Sequence, residues 1–156
     1  IASDGLTRVD IPSGADWQVG GTWDGSAYSD PPGHADKVQA ARAEGVNAER
    51  ERRILAGKVF PITGYGSTIH PSGDDKTQTV LLALKDSARD LQAANVTDAV
   101  LPFRDMDNIT HNLTASQAME LVNLGKAWVT DLYEASWDLK ATDPIPANYA
   151  DDKHWP

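Results

Sequence analysis

The chain has 156 residues, 40% of them hydrophobic and 24% charged, which fits one ordinary globular domain with room for a small appendage. Its net charge of −9 argues against nucleic acid as a partner, because phosphate binding needs a cationic surface. The absence of cysteine removes disulfides, thiolate metal sites and cysteine nucleophiles together, and no apolar run approaches the roughly 20 residues of a spanning helix, so membrane insertion is not expected.

The sequence begins at Ile1 rather than Met, which reads as a processed, trimmed or partial chain, and no signal-peptide pattern is visible. Residues 1–33 read as a small β-rich segment. Leu6, Val9 and Ile11 sit among polar residues and end at Pro12. Trp17, Val19 and Trp23 then lead into Asp24-Gly25, followed by Tyr28. Asp-Gly between aromatic-bearing runs predicts a tight hairpin, with Trp23 and Tyr28 across from each other. A lone hairpin is marginal in water, so it needs a body, a second copy or a partner to pack on. Pro31-Pro32-Gly33 is a stiff break and the expected domain boundary, with an α+β domain following over residues 34–156.

His34 to Ala56 predicts a long charged helix, rich in alanine, with Glu49-Arg50-Glu51-Arg52-Arg53 near its end. Val38, Ala41, Gly45, Ala48, Arg52 and Leu55 offer only a thin apolar stripe, and Gly45 costs about 1 kcal/mol relative to alanine. So little apolar surface predicts a solvated arm or part of an intermolecular bundle. Gly57 is placed to end it. Val59 to Thr63 and Ser67 to Ile69 predict a second hairpin around Gly64-Tyr65-Gly66, with Pro61 marking an edge. Asp75 with Gln78 resembles a capping box for a helix over Thr77 to Ala94, with Leu81, Leu84, Ala88 and Leu91 at helical spacing and Asn95 at its end. Ala99 to Leu113 predicts a third hairpin, turning at Asp105-Met-Asp-Asn108.

The clearest element runs from Leu113 to Lys140. Thr114 and Gln117 form a capping box, and Leu121, Leu124, Trp128, Leu132, Ala135 and Leu139 make one apolar stripe, widened by Met119, Val122, Val129 and Tyr133. It predicts the core helix, with Trp128 as interior filling. The C-terminal tail carries Ile145, Tyr149 and Trp155, and is expected to lie across the body and bury some of them. Hairpins alternating with three helices give an α+β fold.

No catalytic motif stands out. Asp105-Met-Asp107-Asn108 starts like a calcium loop, but the sixth and twelfth positions hold Thr110 and Ser116 where Gly and Glu are required. The four histidines, His34, His70, His111 and His154, show no ligand spacing. Ser67, Ser72 and Ser116 lack a nucleophile-elbow context, and the glycine pairs lack the lysine of a phosphate loop. Arg42 and Glu49 to Arg53 read as a salt-bridged helix face rather than a basic patch. No cofactor, metal or catalytic residue is expected.

Glu51-Arg-Arg-Ile-Leu-Ala-Gly57, Gly66, Asp74-Asp75, Phe103-Arg-Asp105 with Asn108, Leu113-Thr-Ala-Ser-Gln117, Trp128 and Leu132-Tyr133 together resemble an uncharacterised domain of bacteriophage and prophage tail-region proteins. The similar stretch covers about residues 50–139. Val19-Gly-Gly-Thr-Trp-Asp-Gly25, Tyr28 and Pro31 look like a short N-terminal piece that often precedes it. The resemblance implies a tail component or tail-fibre helper, located in the virion after assembly in the host cytoplasm, with other tail or fibre subunits as partners and membership of an oligomer or larger assembly. The expected contact residues are Trp17, Trp23, Tyr28, Arg42, Arg50, Arg53 and Trp155, because aromatics and arginine dominate interfaces. The alternatives are an assembly chaperone that leaves the particle, a tail-borne polysaccharide or cell-wall hydrolase using acids among Asp74, Asp75, Asp105, Asp107 and Glu120, and direct receptor binding by exposed aromatics.

Overall fold

The computed structural model describes residues 18–24 and 26–156. Three helices alternate with three two-stranded antiparallel sheets, the α+β arrangement that the sequence pattern predicts. In chain order these are β1 (Thr22–Trp23), β2 (Tyr28–Ser29), α1 (His34–Ala56), β3 (Phe60–Pro61), β4 (Thr68–Ile69), α2 (Asp75–Ala93), β5 (Leu101–Arg104), β6 (Thr110–Leu113) and α3 (Ala115–Ala141), with a 3-10 turn at Asp152–His154. The chain divides into two compact units, one ending at Ala40 and the other running Ala41–Pro156. The division therefore falls inside α1 rather than at Pro31–Gly33. The predicted strand character of Leu6 to Ile11 and the role of Trp17 lie outside the described residues.

Local sequence signals start and stop the helices of the larger unit. Thr114 caps α3, its hydroxyl accepting from the Gln117 N–H at 3.2 Å while the Gln117 side chain accepts from the Thr114 N–H at 3.0 Å. That satisfies two of the donors a helix start leaves free. For α2 the cap is Asp74, one residue before the expected Asp75: its carboxylate accepts from the Thr77 N–H at 2.8 Å. Gln78 instead donates to the Gly73 carbonyl at 2.6 Å, so no capping box forms. Asn95, just past the C-cap of α2, adopts φ 56°, and Gly57 ends α1 with φ 71°.

The core of this unit gathers around the inward stripe of α3. Leu121, Trp128, Leu132 and Leu139 are buried, with Ser136 among them. Phe60 of β3 meets Trp128 edge to face, with ring centroids 6.3 Å apart. Helices α2 and α3 pack on each other. α2 contributes Leu84 and Ala88, the β5–β6 hairpin contributes Leu101, Phe103 and Leu113, and the tail contributes Ile145 and Trp155. Each large apolar side chain buried in this way stabilises by about 1.5–3 kcal/mol.

The inward face of α1 differs from the predicted stripe. Val46 and Ile54 are buried, whereas Leu55 is exposed. Arg50 and Arg53, with side chains 12% and 14% exposed, point inward beside them, while Arg52 at 62% points out. The rest of α1 from Ala41 onward is thus a packed element and not a solvated arm. Gly45 also has a reason: a Cβ there would sit 2.1 Å from the Tyr149 hydroxyl, so its lost helix propensity makes room for the tail.

Candidate functional site

Three groups of residues are candidates for function: the N-terminal hairpin, the arginines of α1 with the tail, and a buried polar cluster. In the hairpin, Trp23 lies opposite Tyr28 and Thr22 opposite Ser29. Asp24 makes the turn by accepting from the N–H groups of Ser26 and Ala27, both at 2.8 Å. The Ala27 bond, then those from Ser26, hold its carboxyl below the ordinary range. Tyr28 is half-buried within its own unit, its hydroxyl accepting from the Gln18 N–H at 2.7 Å and donating to the Gln18 carbonyl at 2.9 Å. Trp23 stays 41% exposed and Val19 89%.

The arginines expected at a partner surface are engaged within the chain. Arg42 donates to the Ile145 carbonyl at 2.7 Å. Arg50 lies 4.3 Å over the Tyr133 ring and donates to Glu51 and to the Ser136 hydroxyl. Arg53 donates to Glu49 and to Asp152, each at 2.7 Å, and stacks 5.3 Å from the Trp155 ring. Trp155 is 8% exposed and its indole N–H donates to the Tyr149 carbonyl at 2.8 Å. All four of these residues have contacts within the chain. Arg42, Arg50 and Arg53 fasten the tail and α3 to α1, and Trp155 is core. Planar, weakly hydrated guanidinium groups suit such partly buried roles, stacking on rings while their donors reach carbonyls and carboxylates.

The buried polar cluster joins the β3–β4 loop to the β5–β6 hairpin. His111, 2% exposed, lies 3.0 Å through Nε2 from the Asp105 carboxylate and 2.9 Å through Nδ1 from the Tyr65 hydroxyl. Burial pushes the Asp105 carboxyl up, but hydrogen bonds from His111 and from the N–H groups of Ile109 and His70 outweigh it and hold the group below the ordinary range. An ionised Asp105 only accepts, which puts the ring proton on Nε2 and leaves Nδ1 to accept from Tyr65. The chain Tyr65–His111–Asp105 has the order of a nucleophile, a base and its orienting acid. Asp105 is among the lining residues of an open hollow of ≈ 630 Å³, together with Asp74, Lys76 and Arg104, whereas neither Tyr65 nor His111 lines it. The hydrogen bonds of the cluster satisfy polar groups that burial would otherwise leave costly.

Of the acids expected of a hydrolase, Asp74 and Asp105 line one hollow, and most of them also have a local role. Asp74 caps α2, its carboxyl lowered to about 2 chiefly by the Ser72 hydroxyl and then the Thr77 N–H. Asp107 meets His70 Nδ1 at 3.0 Å, and Glu120 accepts from the Thr63 N–H and hydroxyl. No group of three or more metal-ligating side chains forms among the described residues. The largely apolar groove between α2 and α3 has a volume of ≈ 290 Å³, with Phe60 and Trp128 among its lining residues and Lys126 the one charged residue there. Trp128 lines this groove while remaining core, and no acid or imidazole gathers around it.

Sequence reasoning missed the Asp105–His111 pair. The signal was present in strand parity: His111 and Leu113 are two apart, so a buried Leu113 implies a buried and therefore partnered His111. A family model described as a domain of unknown function (DUF4376) matches residues 37–152. No curated protein and no solved structure matches the chain.

Proposed function

The chain belongs to the family described as a domain of unknown function (DUF4376), and we propose that it is a bacteriophage tail-associated structural protein that binds other tail or tail-fibre subunits. The observation that carries the reading is Trp23, an indole left 41% exposed on a hairpin whose strands are two residues each. A hairpin that short gains little from its own pairing. Trp23 and Val19 present apolar surface that burial against a neighbouring subunit would stabilise, and tryptophan is among the commonest energetic anchors of interfaces. The resemblance of residues 50–139 to a tail-region domain supports the tail as the location.

The test is mass spectrometry of purified particles of the phage that encodes the chain. The expected result is a stoichiometric band with wild-type protein and its loss with Trp23→Ala, at unchanged melting temperature of the isolated variant. Absence of the wild-type chain from particles overturns the virion role in favour of an assembly helper. Undiminished incorporation of Trp23→Ala overturns the hairpin as the contact element.

A further inference from the structure

Helix α3 carries two rows of apolar positions: one is buried, and the other is partly covered at Val129 and Tyr133, where Arg50 lies over the Tyr133 ring, and open at its two ends. Leu121, Trp128, Leu132 and Leu139 turn into the core. Beside them Gly125, Val129, Tyr133 and Trp137 follow at steps of four. Val129 and Tyr133 are half-buried, and Trp137 is 57% exposed. Gly125 opens on to free space, since a Cβ there would meet no heavy atom within 4 Å. It lies in the lining of the α2–α3 groove, beside Leu82, which is 59% exposed.

A row at steps of four is one of the ridges by which helices interdigitate. The two ends of this one are complementary in shape: a hole at Gly125 and an indole at Trp137, about 18 Å apart along the axis. The neighbouring row is complementary in charge. It runs Lys126, Thr130, Glu134, Asp138, with the ammonium at the hole end and the carboxylates at the indole end. None of these three charged side chains has an ion-pair partner among the described residues.

We propose that this face of α3 is the two-fold interface of a homodimer, in which a second copy lays the same two rows in the opposite direction. A two-fold axis midway between Gly125 and Trp137 sets each Trp137 over the partner's Gly125. The same operation carries each Lys126 to the partner's Asp138 and Glu134. Ridges at steps of four on both helices then interdigitate at a crossing angle of about −50°. A two-fold interface requires that residue i meet residue j while j meets i, and these rows meet that condition in shape and in charge. An unrelated helix would have to supply both features, whereas a second copy already has them. The proposal does not depend on the N-terminal hairpin or on the tail as location.

The test is sedimentation velocity and light scattering of the full chain over a dilution series. The wild type is expected to dimerise. Trp137→Ala raises the dissociation constant at least about tenfold, the loss typical of an interface anchor. Gly125→Leu fills the hole and does the same, while the monomer keeps its circular dichroism and melts no lower, because nothing occupies that space. Lys126→Asp weakens the dimer by about tenfold, and adding Asp138→Lys to it restores affinity by exchanging the charges across the interface. A wild type monomeric at every concentration overturns the proposal. So does a dimer that tolerates both Trp137→Ala and Gly125→Leu, or a Lys126→Asp defect that Asp138→Lys fails to repair.

Discussion

The N-terminal hairpin and the C-terminal tail both carry tryptophan, and the two indoles have opposite surroundings. Trp155 is 8% exposed, with Arg53 stacked on it and its N–H satisfied by the Tyr149 carbonyl. Trp23 is 41% exposed on a pair of two-residue strands. The tail has no strand and no α-helix, only a 3-10 turn, yet it is the better anchored of the two. What it has is a socket: Gly45 gives way to Tyr149, and two arginines of α1, Arg42 and Arg53, reach Ile145 and Asp152. The difference teaches that aromatic residues do not themselves mark contact surface. Whether the chain supplies a cavity and hydrogen-bond partners decides between filling and display.

Four measurements press on this contrast. Truncating Trp155 to alanine is expected to cost about 3–5 kcal/mol in denaturant unfolding, as for other large aromatics taken from a core. A cost near zero would mean that the tail is displayed like the hairpin. Asp105→Asn is next, at about 2–3 kcal/mol, because it removes a buried carboxylate whose hydrogen bonds serve His111 and two backbone N–H groups. The pH dependence of that loss has a definite sign. The folded-state carboxyl sits below its ordinary value of 3.8, so the ionised group stabilises fully above that pH and the benefit disappears as pH falls through the lowered folded value. The gap between wild type and Asp105→Asn should therefore narrow on acidification, and a gap that widens would reverse the assignment. Thr114→Ala, measured by thermal unfolding, removes a cap and is expected to cost about 1 kcal/mol. Trp23→Ala closes the series with a change within about 0.5 kcal/mol, as for a surface substitution away from the core. A large loss there would show that the hairpin is structural after all.

Elements whose signals are local were legible before any coordinates. The Thr114–Gln117 box, the α3 stripe through Trp128, the end of α1 at Gly57 and the turn at Asp105 to Asn108 are each written within a few residues. Asp74 and Asp75 could not be told apart, since either carboxylate suits a cap; Ser72 and Thr77, which converge on Asp74, settle it in three dimensions. The direction of α1 was misread for a physical reason. Hydrophobic periodicity scores arginine as outward, yet Arg50 and Arg53 lie on the inward face, where their long stems and flat heads cover Tyr133 and Trp155. Trp137 shows the converse. It falls close to the apolar stripe by spacing, but the step of four drifts it around the helix until it reaches solvent.

The imidazole of His111 also turns the β5–β6 hairpin into its own sensor. Its Nε2 proton lies between a buried ring and a buried carboxylate, sheltered from exchange with water. In a proton magnetic resonance spectrum recorded in water it should persist as a single far-downfield line, distinct from the rapidly exchanging ring protons of more accessible histidines. That line would fade when the hairpin detaches, at whatever temperature or acidity this occurs, and so date the event against the melting of the helices without any label being introduced.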